Sequence, residues 1–308
     1  MAMLVTGGTG FVGSNLVKRL LELGYFVLAT GSPCENKLPP ECALFFHGVG
    51  GVHFHRMSSL LRDEHQSLDV LFHQAANNDT TCKDEREMLW QNVHSSINVF
   101  EWAIANGCQK IVYASSTAVY GKTPAPQRED GPVDPLNAYA RSKLELEKVT
   151  RHLSVRYPHV TFIGLRYCNV YGPGEHHKGK RASMIHQVGK RIVWRPVKLF
   201  EHGEQKRDWI FVDDVVRANL MAMEADRSCV VNCGSGVATT FNRIHDILAD
   251  LYSKWSWGGP CYIPNPEPEK YQDHTECDMA LAKKHLGFVP KYDIEAGIRE
   301  NRKRWGFG

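Results

Sequence analysis

Tyr139 and Lys143 stand four residues apart in Tyr139-Ala140-Arg141-Ser142-Lys143, a spacing that puts both side chains on one face of a helix, one turn apart. Such a pair can move a proton. A free phenol has a pKa of about 10, so a base that works near pH 7 needs a shift of ~3 units, or ~4 kcal/mol. One ammonium at ~4 Å, at an effective dielectric of ~20, supplies about that much. The spacing alone also arises by accident on amphipathic helices, so its surroundings must decide. A strand-like run ending at Ala114 passes into Ser115-Ser116-Thr117-Ala118-Val119-Tyr120-Gly121. Hydroxyls are thereby set at the C-terminal edge of a sheet, where open α/β sheets bind ligands. Ser116 is the expected hydrogen-bond partner of the reacting oxygen.

A second group of residues is suited to phosphate. Thr6-Gly7-Gly8-Thr9-Gly10-Phe11-Val12-Gly13 follows the first apolar run and opens a helix-period segment. In that context Gly7, Gly10 and Gly13 let the backbone N–H groups of Phe11 and Val12 approach a pyrophosphate. The alternative is a merely tight strand-to-helix turn. At the end of the second strand, where an acidic residue would hold both ribose hydroxyls, the chain has Ala29-Thr30-Gly31-Ser32. A carboxylate would repel a 2′-phosphate, whereas Ser32 with Lys37 nearby could accept one, so NADP is favoured and NAD is the alternative. Lys37 could equally be a solvated loop lysine. His176 and His177 are adjacent rather than at ligand spacing, and no metal is expected.

The elements that must position these residues follow from periodicity. Strands are expected at Met3 to Thr6, Phe26 to Thr30, Val70 to His73, Ile111 to Ala114 and Thr161 to Arg166. Helices are expected at Phe11 to Leu23 before Gly24, at roughly Arg86 to Asn106 before Gly107, and at about Tyr139 to Tyr157. Alternating strands and helices predict an α/β fold of Rossmann type, a doubly wound parallel sheet with a smaller C-terminal α/β lobe. The cofactor half should occupy residues 1–167 and the substrate half 168–206 and 233–308. Trp209 to Val215 reads as a strand entering a helix, within a segment 207–232 that could return to the main sheet. An amphipathic helix is expected near Phe241 to Tyr252.

Composition narrows the classes. A 308-residue chain with 43% hydrophobic and 23% charged residues is ordinary for a globular protein. A formal charge of +3, spread without a basic run, argues for no nucleic acid and no membrane partner. Nine cysteines without a C-x-x-C pair suggest free thiols and a cytoplasmic, reducing location. No targeting or membrane-spanning segment is expected.

Taken together, the glycine loop, His73-Gln74-Ala75-Ala76, Asn92, Ser116, Tyr139 and Lys143 resemble the extended short-chain dehydrogenase/reductase family, in its NAD-dependent epimerase/dehydratase type. The resemblance spans nearly the whole chain. It implies that Tyr139 is the acid/base, that Lys143 lowers its pKa and holds the ribose, that Ser116 orients the substrate hydroxyl, and that Ala75, Ala76, Asn92 and Val170 join the cofactor site. Farther on, His177-Lys178-Gly179-Lys180-Arg181-Ala182-Ser183 resembles the H-K-G-x-x-A-S segment of nucleotide-activated heptose 6-epimerases. By that resemblance Lys178 is a second acid/base, and Asn169, Lys180, Phe200, Arg207 and Tyr271 surround a nucleotide-diphosphate sugar. Gly31, where relatives usually carry an acidic residue, and Lys180-Arg181, where small or apolar residues are common, depart from the pattern.

The resemblance implies an isomerase that oxidises a secondary alcohol, lets the substrate turn and reduces it again on the other face. Inversion at C4 of a UDP- or other NDP-sugar is the nearest rival, with Lys178 as the discriminating residue. A 4,6-dehydratase is disfavoured because Thr117-Ala118 stands where that class carries Asp-Glu. A non-catalytic NADP-binding regulatory protein is the alternative of another kind, against which Ser116, Tyr139 and Lys143 speak. Relatives associate through crossover helices, so a homo-oligomer is expected.

Overall fold

The computed structural model describes residues 1–33, 36–46, 54–64, 66–252, 259–266 and 268–305. Its first part alternates β1 (Ala2–Thr6), α1 (Phe11–Glu22), β2 (Phe26–Gly31), β3 (Ala43–Phe46), α2 (Phe54–Asp63), β4 (Leu68–His73), α3 (Glu85–Leu89), α4 (Ser95–Ala105), β5 (Lys110–Ser116), α5 (Ala138–Arg156) and β6 (Thr161–Tyr167). The five expected strands and three expected helices are all present. The helix expected across Arg86 to Asn106 runs as α3, one π-turn at Trp90–His94, and α4. β3 and α2 had no sequence expectation: four residues of strand beside a Gly- and His-rich stretch carry too little periodicity to register.

The remaining elements are β7 (Asn169–Tyr171), α6 (Met184–Arg191), β8 (Lys198–Phe200), β9 (Lys206–Phe211), α7 (Val212–Ala222), β10 (Cys229–Cys233), β11 (Ala238–Thr240), α8 (Phe241–Leu251), β12 (Cys261–Ile263), α9 (Ala280–Leu286) and α10 (Ile294–Trp305). A seven-stranded sheet runs in the order β10-β6-β5-β4-β1-β2-β3. Every pairing in it is parallel. This is the expected Rossmann-type α/β sheet, and it needs helical crossovers on both faces.

Period-two alternation along β1 assigns its side chains to the two faces. Met3 and Val5 join one apolar cluster with Leu16 and Leu20 of α1, and Ala2 and Leu4 join the other with Phe100 and Ala103 of α4. A third cluster, including Ile185, Trp209, Phe241 and Leu248, holds the C-terminal elements together.

One expectation is corrected: the strand expected at Trp209 is β9, which pairs with β7 and β11 in a separate three-stranded sheet, while in the expected return segment 207–232 it is β10 that comes back to the main sheet beside β6. An apolar run cannot reveal which edge it will join. The sulfurs of Cys168 and Cys277 also come together, 109 residues apart in the chain. Nothing in their spacing marks the pair, because the fold alone brings the end of β6 beside the segment leading to α9.

Candidate active site

One cleft of about 1360 Å³ opens along the C-terminal edge of the main sheet. That exceeds the usual ~300–1,000 Å³ of a small-molecule pocket and suits two ligands side by side. The glycine turn lines one end of it. A Cβ at Gly13 would meet Gly7 O at 2.1 Å, so only glycine lets α1 start so close to β1. No side chain caps α1 and no acidic residue occupies its first turn, which leaves its N-terminal N–H groups open to an anion. The cradle therefore fits a dinucleotide diphosphate. Gly7, Gly10, Phe11, Val12, Gly13, Ser32, Ala75, Ala76 and Val170 all line the cleft.

Gly31 also has a spatial reason. A Cβ there would meet Thr9 Oγ1 at 2.1 Å, and Thr9 Oγ1 already accepts the Ser32 N–H at 2.9 Å. Thr9 thus occupies the place from which a side chain at 31 would extend. Lys37 is exposed and does not line the cleft, so its expected part in holding a 2′-phosphate loses its geometric support. Asn92 is likewise absent from the cleft wall. The π-turn aims its side chain at Asn77, whose N–H it receives at 2.7 Å, and at Ser142 Oγ at 3.0 Å. Its role here is to brace the 74–78 segment against α5.

Ser116, Tyr139, Lys143 and Lys178 share the cleft. Asn137 caps α5 by accepting the Ala140 N–H at 2.9 Å, which starts the helix where Tyr139 and Lys143 both face the end of β5. Lys143 Nζ donates to Ala114 O at 2.7 Å and lies 5.8 Å from the Tyr139 ring centroid. Burial lowers the lysine to about 8, with Glu147 opposing that shift.

Tyr139 differs from expectation. Burial raises its phenol above the ordinary value, against the lowering effect of a hydrogen bond with Ser116. The desolvation that brings Lys143 and Tyr139 together also penalises the phenolate and opposes the lowering that a neighbouring ammonium brings.

Lys178 comes from the loop after β7 and is half-buried. Its Nζ sits 5.0 Å from the Phe11 ring centroid, and burial depresses its ammonium while Glu175 partly restores it. Asn169, Arg207 and Tyr271 line the other end of the cleft, where the Arg207 guanidinium lies 4.8 Å from the Tyr271 ring centroid. Phe200 stands behind Tyr271, with ring centroids 5.7 Å apart, and is not on the cleft wall. Lys180 is exposed and outside the cleft. Its neighbour Arg181 reaches in instead and donates to Asn78 Oδ1 at 3.1 Å. The one-residue difference follows from Gly179, whose φ of +55° redirects the chain.

Sequence reasoning did not assign roles to Thr9, beside this cleft, or to Phe54 and Arg181, which line it. A threonine between glycines was a usable signal for the first; Phe54 is brought in by α2, which itself went unread. His73 also lines the cleft, held between Thr6 Oγ1 and Ser96 Oγ, each at 2.8 Å, and burial pushes it down to about 3. It is a neutral tie between β1, β4 and α4.

Among the described residues, Cys168, Asp208 and Cys277 bring potential metal-ligand atoms together. The Asp208 carboxylate, however, already accepts from Ser235 N, Ser235 Oγ, Gly236 N and Cys277 N. No helix among the described residues is long and apolar enough to cross a membrane.

A curated relative, the ADP-L-glycero-D-manno-heptose-6-epimerase of Alkalilimnicola ehrlichii, is 34% identical, over 96% of this chain and 95% of its own. The crystal structure of the Helicobacter pylori enzyme of the same name superposes with a TM-score of 0.81 at 33% identity, covering 98% of this chain and 95% of that one. The UDP-glucose 4-epimerase of Thermotoga maritima, solved with UDP-glucose, superposes with a TM-score of 0.88 at 28% identity, covering 99% and 98%. Residues 3–234 match the family described as NAD dependent epimerase/dehydratase. With its open parallel sheet, its diphosphate cradle and a tyrosine–lysine pair at the sheet edge, this chain belongs to the NAD-dependent epimerase/dehydratase family.

Proposed function

We propose that this protein inverts C6 of an ADP- or other NDP-activated manno-heptose. The observation that carries this reading is Lys178, a half-buried amine with a depressed pKa lining the same cleft as Tyr139. Two proton-handling groups suit two orientations of one substrate alcohol. Identity to the curated heptose epimerase across nearly the whole chain supports the same reading.

A bound nicotinamide dinucleotide supplies a reversible hydride acceptor, which makes the cycle redox-neutral. Tyr139 takes the hydroxyl proton in one orientation while Ser116 orients the reacting oxygen. Rotation of the exocyclic carbon about the C5–C6 bond then presents the opposite carbonyl face, and Lys178 handles the proton there. Arg207 and Tyr271 hold the nucleotide diphosphate at the far end, and Asn169 borders the sugar. NADP rather than NAD is proposed because no carboxylate occupies the end of β2 and Thr9 excludes one from position 31. Ser32, on the cleft wall, is the residue left to meet a 2′-phosphate.

Inversion at C4 of a UDP-sugar is the second reading, favoured by the higher TM-score of the Thermotoga maritima enzyme. It needs the whole sugar to turn and leaves Lys178 without a task. NMR of ADP-, GDP- and UDP-sugars incubated with the protein, without added reductant, separates the two. An inverted C6 centre supports the heptose reading, and an inverted C4 centre replaces it. Inversion of neither would return the non-catalytic alternative.

The division into a cofactor half (1–167 with the returning β10) and a substrate half is part of the same proposal. So are a cytoplasmic location and a homo-oligomer formed through α4 and α5, where Val155 is 79% exposed. Sedimentation of the purified protein tests the last.

A further inference from the structure

Two asparagine side chains tie the loop that carries Lys178 to the glycine turn. Asn15, in α1, donates its amide to Pro173 O at 2.8 Å and to Phe11 O at 2.9 Å. Asn36, beyond β2, donates to Gly174 O at 3.2 Å and lies 3.4 Å from His177 Nδ1. Its own backbone N–H donates to Thr9 O at 2.9 Å, which fastens it to the glycine turn. Gly174, at φ +101°, is gripped between the two amides. A Cβ added there would lie 3.4 Å from Asn15 Nδ2 and 3.5 Å from Asn36 Nδ2. The Glu175 carboxylate accepts the N–H groups of Gly172 and Ser183, folding the loop upon itself. Three stretches far apart in sequence, at 9–15, 36 and 172–183, thereby close around the turn that receives the diphosphate.

We infer that Asn15 and Asn36 form a clasp that retains the nicotinamide dinucleotide and sets Lys178 over the site. They are positioning residues: each bonds backbone carbonyls of the loop and acts through it. A cycle that returns its hydride to the same substrate has no use for cofactor exchange, so slow release costs no turnover. One neutral hydrogen bond contributes modestly, so the two amides should act together. Retention rests on family membership alone, whereas the effect on Lys178 rests on the function proposed above.

The test loads wild type, Asn36→Leu, Asn15→Leu and the double variant with cofactor, adds excess isotopically labelled cofactor, and follows exchange by mass spectrometry. Leucine keeps the approximate size of asparagine but has no donor. Exchange should accelerate about tenfold in each single variant and more in the double one, with Asn36→Gln recovering part of the loss. Exchange within twofold of wild type in the double variant would overturn retention, whatever the substrate proves to be. Hydrogen exchange of the ligand-free proteins provides the second measurement. Amides of 174–178 should lose protection in Asn36→Leu while those of β1 and β5 keep theirs; unchanged protection at 174–178 would refute the clasp. For Lys178, the expected signature is a fall in kcat with KM moved less than twofold. A change confined to KM would overturn positioning while leaving the exchange result standing.

Discussion

Tyr139 and Lys143 are paired by helical geometry, but their charges in the ligand-free protein are set by burial. The phenol is raised and the ammonium lowered to about 8, so near pH 7 the protein holds a neutral tyrosine beside a protonated lysine. Phenolate absorbance, taken as wild type minus Tyr139→Phe, should therefore appear above the ordinary tyrosine range without cofactor and move down when the oxidised, cationic cofactor binds. Titration near pH 7 without cofactor would contradict the burial argument. Tyr139→Phe should lower turnover by ~10²-fold or more with an unchanged fold, as read by steady-state kinetics and circular dichroism.

The folded pKa of Lys143 lies below its unfolded value, so between pH about 8 and 10.5 the unfolded chain binds the additional proton. Stability is consequently diminished below that window and recovers as pH rises through it. Replacing this buried charge, Lys143→Met, should raise the melting temperature of the cofactor-free protein at pH 7 while abolishing most turnover. The gain should shrink toward pH 10.5 in a pH series of thermal melts.

At the scale of elements, the end of β2 and the glycine turn are fitted to one another. Gly31→Asp alone forces its Cβ against Thr9 Oγ1, at 2.1 Å in the present backbone, and should destabilise the protein by about 1–3 kcal/mol, as overpacking does. Thr9→Gly combined with Gly31→Asp removes the collision and should shift preference toward NAD, measured as the ratio of the NAD and NADP dissociation constants. A second junction joins α5 to β6. Buried Glu147 receives Arg166 at 2.9 and 2.7 Å through two guanidinium nitrogens, one turn beyond Lys143. Glu147→Gln leaves the guanidinium short of its counter-charge in a dry site and should cost about 3–5 kcal/mol in denaturant unfolding.

Across the whole molecule, Asp208 is the point at which three separate stretches meet. Its carboxylate ties β9 to Ser235 and Gly236 after β10 and to Cys277 before α9. Asp208→Ala strands three backbone donors at a fully buried position, at about 1–3 kcal/mol for each group left unsatisfied. A fall of several degrees in melting temperature is expected. The Arg207 and Tyr271 end of the cleft should loosen first, seen as faster hydrogen exchange over 271–278 than over β1.

How much of this was readable beforehand depends on the range of the interactions involved. The parallel sheet, α1, α5 and the pairing of Tyr139 with Lys143 follow from patterns of two, three or four residues. Local sterics and one-sided burial act over the same distance, so these features can be read directly from neighbouring residues. Long-range packing sets the rest: β10 and not β9 returns to the main sheet, Arg181 and not Lys180 reaches the cleft, and Asn92 braces Asn77. It also decided that Cys168 meets Cys277 and that Asn15 and Asn36 grip the loop at 173–174. Each of these depends on where backbone atoms tens of residues away come to rest. The charge state of Tyr139 belongs with them, because desolvation is a property of everything packed around a group and not of the residues beside it in the chain.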